Sequence, residues 1–147
     1  MKLSTRARYG TRALLDLASH STMNSSVTMK EIAQRQELSV TYLEHLVAPL
    51  IDGGIVRSIR GNKGGITLAK PAYKITLKEI VNLLEGPTAP VECLINSRFC
   101  AKSGACVTQE VWDEMGKAID RVLEGKTLQD LVERQNGQSN SKSMYYI

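Results

Sequence analysis

Residues 39–68, SVTYLEHLVAPLIDGGIVRSIRGNKGGITL, constrain this chain more than any other stretch. A helical apolar period gives way, across a double glycine, to two short β-forming runs separated by a basic glycine turn. Ser39 has the hydroxyl an N-cap needs to accept an orphan backbone N–H of the first turn. Val40, Leu43, Leu46, Val47, Leu50 and Ile51 recur at three- and four-residue steps, so the predicted helix has one apolar face. Thr41, Tyr42, Glu44 and His45 fall beside or opposite that face, near the helix start. There a recognition helix presents hydrogen-bonding groups to base edges. Pro49 is expected to kink the helix or shorten its last turn, and Gly53-Gly54 to end it.

After the glycines come IVRSIR, then GNKGG, then ITL. Glycines such as Gly61 permit positive φ in the turn, and Arg60 and Lys63 sit at its tip. A helix placed directly before a basic hairpin has the order of a DNA-reading helix and its wing. A solvated hairpin on an ordinary core helix is the alternative, and neither half alone separates the two.

Upstream, Ser4 is placed to cap a helix running to about Ala18, with Tyr9, Ala13, Leu14, Leu17 and Ala18 as its apolar positions. Arg6, Arg8 and Arg12 crowd its start, where cations oppose the helix dipole; contact with a phosphate backbone accounts for them. Thr28 and Glu31 have the spacing of a capping box and open a short helix ending near Gln36. Helix, tight turn, helix and wing together predict a winged helix-turn-helix. Residues 1–74 carry eleven Lys/Arg against five Asp/Glu, whereas residues 75–147 carry eight against ten. The basic half holds the helix and wing, as attraction to double-stranded DNA requires. Aromatic residues make up only 5% of the chain, which argues against binding single strands on stacked rings.

Downstream, Thr76 and Glu79 repeat the capping-box spacing and open a helix with Leu77, Ile80, Val81 and Leu84, stopped by Gly86-Pro87. Thr108 is the predicted cap of a helix reaching about Glu124. Its stripe of Val111, Trp112, Met115, Ala118, Ile119, Val122 and Leu123 is broader than a small domain can cover. That points to a homodimer, with packing within one chain as the alternative, and a two-fold protein suits a palindromic operator. Thr127 opens a short last helix with Leu128, Leu131 and Val132; the polar stretch after Gln135 is expected to be flexible.

The expected fold is therefore mainly α. A winged helix-turn-helix domain spans residues 1–86 and a cysteine-bearing loop 87–107. The dimerisation and C-terminal helices span 108–135, and a flexible tail 136–147. No apolar run approaches membrane-spanning length and the N-terminus lacks a signal-peptide core, so a cytoplasmic chain without membrane attachment is expected. No Ser/His/Asp set or carboxylate pair suggests an enzyme.

Loop 87–107 shows no periodicity and holds all three cysteines, Cys93, Cys100 and Cys106, spaced C-x6-C-x5-C. Ala101, Ser103, Gly104 and Ala105 make it a segment able to wrap a cluster, and thiolates are the usual ligands of iron–sulfur centres. Zinc sites more often use tight C-x2-C pairs, which this loop lacks. By spacing alone, a cluster, zinc or thiol sensing, and no site at all stay open. No fourth ligand stands out. Gln109 offers only a neutral amide oxygen, Glu92, Glu110 and Asp113 are nearby carboxylates, and His20 and His45 are far off in sequence. Three strong ligands and one weak one would make a labile site, which suits a sensor.

The segments KLSTRARYGTRALLDLA and LSVTYLEHLVAPLIDGGIVRSIRG, with three cysteines before a Trp-containing helix, resemble the IscR/NsrR/CymR-type family of bacterial winged-helix transcription regulators. The resemblance runs from residue 1 to about 135 and is nearest to the iron–sulfur cluster regulator IscR. It implies a DNA-binding homodimer holding a cluster on Cys93, Cys100 and Cys106, with [2Fe-2S] favoured over [4Fe-4S]. It implies major-groove contacts from Ser39, Thr41, Tyr42, Glu44 and His45, and a minor-groove Arg60 with Gly61 beside it in the wing. IscR-like members place a histidine at the position of Gln109. Others take an acid or histidine from the partner's first helix, where this chain has Arg8 and Arg12. Gln109 and Glu110 remain as candidates for the fourth ligand. The implied role is control of iron–sulfur cluster biogenesis genes. The stretch LLEGPTAPVE and the terminal Met-Tyr-Tyr-Ile resemble CymR instead. They imply a repressor of cysteine metabolism that engages cysteine synthase through its C-terminal tail; an NsrR-like nitric-oxide sensor is the further alternative.

Overall fold

Four hydroxyls start the helices of the N-terminal half. Ser4 accepts from the Ala7 N–H, Thr28 from Glu31, Ser39 from Tyr42 and Thr76 from Glu79. The computed structural model describes residues 2–22 and 25–144. Within them α1 is Thr5–His20, α2 Met29–Gln36, α3 Val40–Asp52, β1 Val56–Ile59, β2 Gly65–Leu68, α4 Leu77–Glu85, α5 Val107–Glu124 and α6 Leu128–Met144. The fold is mainly helical, with one two-stranded antiparallel sheet.

The tight turn between α2 and α3 rests on Glu37, which adopts a left-handed conformation at φ 56°. Its N–H and that of Leu38 close back onto the last turn of α2. The capping box of Thr28 and Glu31 forms as expected. The second expected box is only half made, because the Glu79 carboxylate turns to Lys70 Nζ at 2.6 Å. Nor does Pro49 shorten α3, which runs on to Asp52. Proline lacks the N–H that would pair with the carbonyl of His45, but His45 is exposed and water can satisfy that group.

α1 packs against α2, α3, α4 and α6. The core gathers Leu14 and Leu17 of α1, Ile32 of α2, Leu43 and Leu50 of α3, and Ile80 of α4. Close approach of α1 and α4 depends on Gly10, where an added Cβ would lie 2.5 Å from Leu84 Cδ1. Leu128, at the start of α6, is fully buried in the same core. A short backbone strap fixes it: Leu77 N–H donates to the Lys126 carbonyl at 2.9 Å and Leu128 N–H to Ile75 at 2.8 Å. The starts of α4 and α6 therefore lie side by side.

The C-terminal helices differ from expectation in two places. α5 begins at Val107 with Cys106 at its N-cap, two residues before the predicted cap Thr108. The Thr108 hydroxyl instead lies 3.1 Å from Cys106 Sγ. α6 continues as helix to Met144, through the polar stretch expected to be flexible. That stretch has no proline, and the Ser139 and Ser141 hydroxyls each donate to the carbonyl four residues back at 3.0 Å. No residue of α5 is buried. Ion pairs join it to α4: Lys78 reaches Asp120 at 3.1 Å and also Glu124.

Candidate nucleic-acid interface and cysteine loop

The first turns of α3 expose Ser39, Thr41, Glu44 and His45, while Tyr42 is half-buried. Ser39 caps the helix by accepting the Tyr42 N–H at 3.1 Å, so its own hydroxyl proton stays available to donate. The Tyr42 ring meets the Tyr9 ring of α1 edge to face, centroids 6.3 Å apart at 83°.

The wing pairs Val56 with Leu68, Arg57 with Thr67, Ser58 with Ile66 and Ile59 with Gly65. Its turn exposes Arg60, Gly61 and Lys63. Gly61 has φ 117°, and its carbonyl accepts the Gly64 N–H at 2.9 Å. The wing is also tethered to the residues just before α2. Val27 and Ile66 exchange two backbone hydrogen bonds of 2.9 and 2.8 Å, and the Ser26 hydroxyl donates to the Lys63 carbonyl at 2.7 Å. This tether joins segments far apart in sequence and was not expected. A glycine inside a strand, Gly65, was the available signal, since it often marks close approach of another backbone.

Among the arginines expected at phosphate, Arg12 is partly engaged already. Its Nε donates to Gln36 Oε1 at 3.2 Å. Arg8 and Arg12 both lie over the Tyr9 ring, each 5.5 Å from its centroid.

The three thiols are free and half-buried. Cys106 sits at the start of α5. The Thr108 hydroxyl, helped by the Gln109 and Thr108 N–H groups and by the charge of Lys102, holds its thiol below the usual cysteine range. The loop between the cysteines makes 3-10 turns at Glu92–Leu94 and Ser97–Phe99. Gln109 pins it. Its Nε2 donates to the Cys93 carbonyl at 3.4 Å and to Ser103 Oγ at 3.1 Å, while its Oε1 accepts the Gly104 N–H at 3.2 Å. The amide considered as a fourth ligand thus has its hydrogen-bonding groups engaged within the loop; Glu110 is exposed. The donor chemistry fits a thiolate-bound cluster: three free thiols on one segment, one of them biased towards thiolate. Among the described residues no three such side chains are gathered closely enough to hold an ion.

Comparison with known proteins fixes the family. The pattern defining Rrf2, described as an iron-dependent transcriptional regulator, matches residues 3–134. The chain belongs to the Rrf2 family. Protein rrf2 of Nitratidesulfovibrio vulgaris is 45% identical over 132 residues, 90% of this chain and 87% of that protein. The HTH-type transcriptional regulator CymR of Bacillus subtilis is 37% identical over 147 residues, the whole of both chains. The solved structure of that CymR, described as the global cysteine regulator, superposes with a TM-score of 0.76 over 91% of this chain and 98% of its own. T. potens IscR superposes with a TM-score of 0.74 at 36% identity, over 92% of this chain and 88% of its own. The resemblance read from the sequence is to this family, and the winged-helix fold agrees with it. The chain is a DNA-binding transcription regulator of the Rrf2 family rather than an enzyme. Among the described residues no helix is long and apolar enough to cross a membrane.

Proposed function

We propose that this Rrf2-family chain is an iron–sulfur-dependent regulator of cluster biogenesis genes, acting as a homodimer on a palindromic operator. The observation that carries the proposal is the placement of three free thiols on one loop between α4 and the exposed helix α5. Ser39, Thr41, Tyr42, Glu44 and His45 read the major groove from the start of α3, and Arg60 with Gly61 follows the minor groove from the wing. Cys93, Cys100 and Cys106 hold the cluster, [2Fe-2S] in preference to [4Fe-4S]. When bound, the cluster supplies a labile, redox-active centre. Holding a cluster would draw the three thiols together, and Gln109, which donates to the Cys93 carbonyl, joins that movement to the rest of loop 87–107. As the proposed dimer helix, α5 sets the spacing of the two reading heads, so ligation and DNA fit share one equilibrium. Anaerobic DNA binding by wild type and by a Cys93/Cys100/Cys106→Ala variant tests this. Different affinity or site preference is expected; identical binding by both refutes the cysteine-dependent mechanism.

A second reading rests on the full-length match to CymR. In it the chain represses cysteine metabolism, its thiols are redox-active or incidental, and its C-terminal tail engages cysteine synthase. The tail residues 145–147 lie outside the described residues. Capture of cysteine synthase by the full chain, lost on removing those three residues, favours this reading over the first.

A further inference from the structure

We infer that Tyr9 is a positioning residue for DNA reading: its ring fixes the pose of Tyr42 at the start of α3. The inference rests on the proposed reading role of α3. Tyr42 is the one half-buried member of the five reading positions, and the Tyr9 ring is packed against it. Edge-to-face geometry at 6.3 Å and 83° is the arrangement in which a positive ring edge meets a negative face. Tyr9 is itself held. The guanidinium groups of Arg8 and Arg12 lie over its ring at 5.5 Å each. Arg12 is fixed in turn by Gln36 at the end of α2, whose Nε2 donates to Asp16 Oδ2 at 3.0 Å.

The start of α3 is thus set twice. Ser39 fixes the backbone of Tyr42 through its N–H, and Tyr9 restricts its side chain. The same Arg8, Tyr9 and Arg12 line an apolar groove of about 540 Å³ together with Leu123 and Leu131 of the C-terminal helices. Tyr9 therefore stands between those helices and the reading helix. A tyrosine that merely placed arginines against phosphate would affect all sequences alike. A residue that restricts Tyr42 affects discrimination at the one base step Tyr42 reads.

The test uses the full-length protein and a duplex enriched by it from a random-sequence library. Competition at each base pair compares wild type with Tyr42→Ala, Tyr9→Leu and Tyr9→Phe. Tyr42→Ala identifies the step that Tyr42 reads. Tyr9→Leu is expected to lower discrimination at that same step about three- to tenfold, with the salt dependence of binding unchanged. Tyr9→Phe keeps the ring and is expected to restore it. Tyr9→Met replaces the leucine variant if circular dichroism shows the latter to be misfolded. Unchanged discrimination in Tyr9→Leu overturns the inference while leaving the reading role of Tyr42 intact. So does a uniform loss with a shallower salt slope, and so does failure of Tyr9→Phe to rescue. No change in Tyr42→Ala overturns the reading role of Tyr42 and the inference with it.

Discussion

Asp16 of α1 and Arg35 of α2 form a forked ion pair, with Arg35 Nε 3.0 Å from both carboxylate oxygens and Nη2 2.6 Å from Oδ1. Asp16 is only 5% exposed. Burial by itself pushes its carboxyl up, but the hydrogen bonds from Arg35 and Gln36 and the nearby positive charge outweigh burial and hold it below the ordinary range. The pair fastens the first helix of the helix-turn-helix to α1. Asp16→Asn is expected to cost about 1.5–3 kcal/mol in urea unfolding. Because the folded carboxyl titrates below the unfolded value of 3.8, its stabilisation is complete above that value. It is lost as pH falls through the lower, folded value. Wild type should therefore lose stability more steeply than Asp16→Asn in acid, and parallel profiles would contradict this role.

The wing depends on Gly65. An added Cβ would lie 2.4 Å from the Val27 carbonyl oxygen, which accepts one of the two hydrogen bonds that tie β2 to the residues just before α2. Gly65→Ala is expected to destabilise the fold by about 1–3 kcal/mol and to expose the turn at Arg60 to trypsin. Unchanged thermal stability and an unchanged cleavage rate would show that the tether is dispensable.

Gln109 connects Cys93, Ser103 and Gly104. Gln109→Ala should leave global stability within about 1 kcal/mol, because the loop adds little to the core. It should speed alkylation of Cys93 in the metal-free protein, read by mass spectrometry. An unchanged alkylation rate would mean that the pin does not order the loop.

Val111, Trp112 and Met115 are exposed on α5, Val111 by 55%. Apolar side chains so placed on an amphipathic helix call for a covering surface. A Val111→Asp/Met115→Glu variant is expected to sediment as a monomer with unchanged helix content, whereas wild type sediments as a dimer. A monomeric wild type would remove the proposed role of α5.

Much of the N-terminal half was legible because its signals are local. The hydroxyl caps at Ser4, Thr28, Ser39 and Thr76, the apolar period of α3 and the glycines around the wing each act within a few residues. What escaped is non-local or competitive. The Val27–Ile66 bridge and the Tyr9–Tyr42 contact join segments far apart in sequence. Glu79 had a capping partner nearby but found Lys70 instead. Helix α5 starts after a thiol, and the Thr108 hydroxyl lies against Cys106 rather than capping the helix. α6 outran its expected end because polarity alone does not stop a helix that lacks a proline. At the cysteine loop the ligand types were legible, whereas the engagement of Gln109 with the Cys93 carbonyl was not.

The cluster proposed on Cys93, Cys100 and Cys106 is read out by anaerobic purification with an absorption spectrum and iron and sulfide analysis. Visible charge-transfer absorption is expected, with iron and sulfide in the amounts of one [2Fe-2S] centre per chain, lost when the three cysteines are replaced. Protein that is colourless, and stays so after anaerobic reconstitution with iron and sulfide, would contradict it and leave the CymR-like reading in its place.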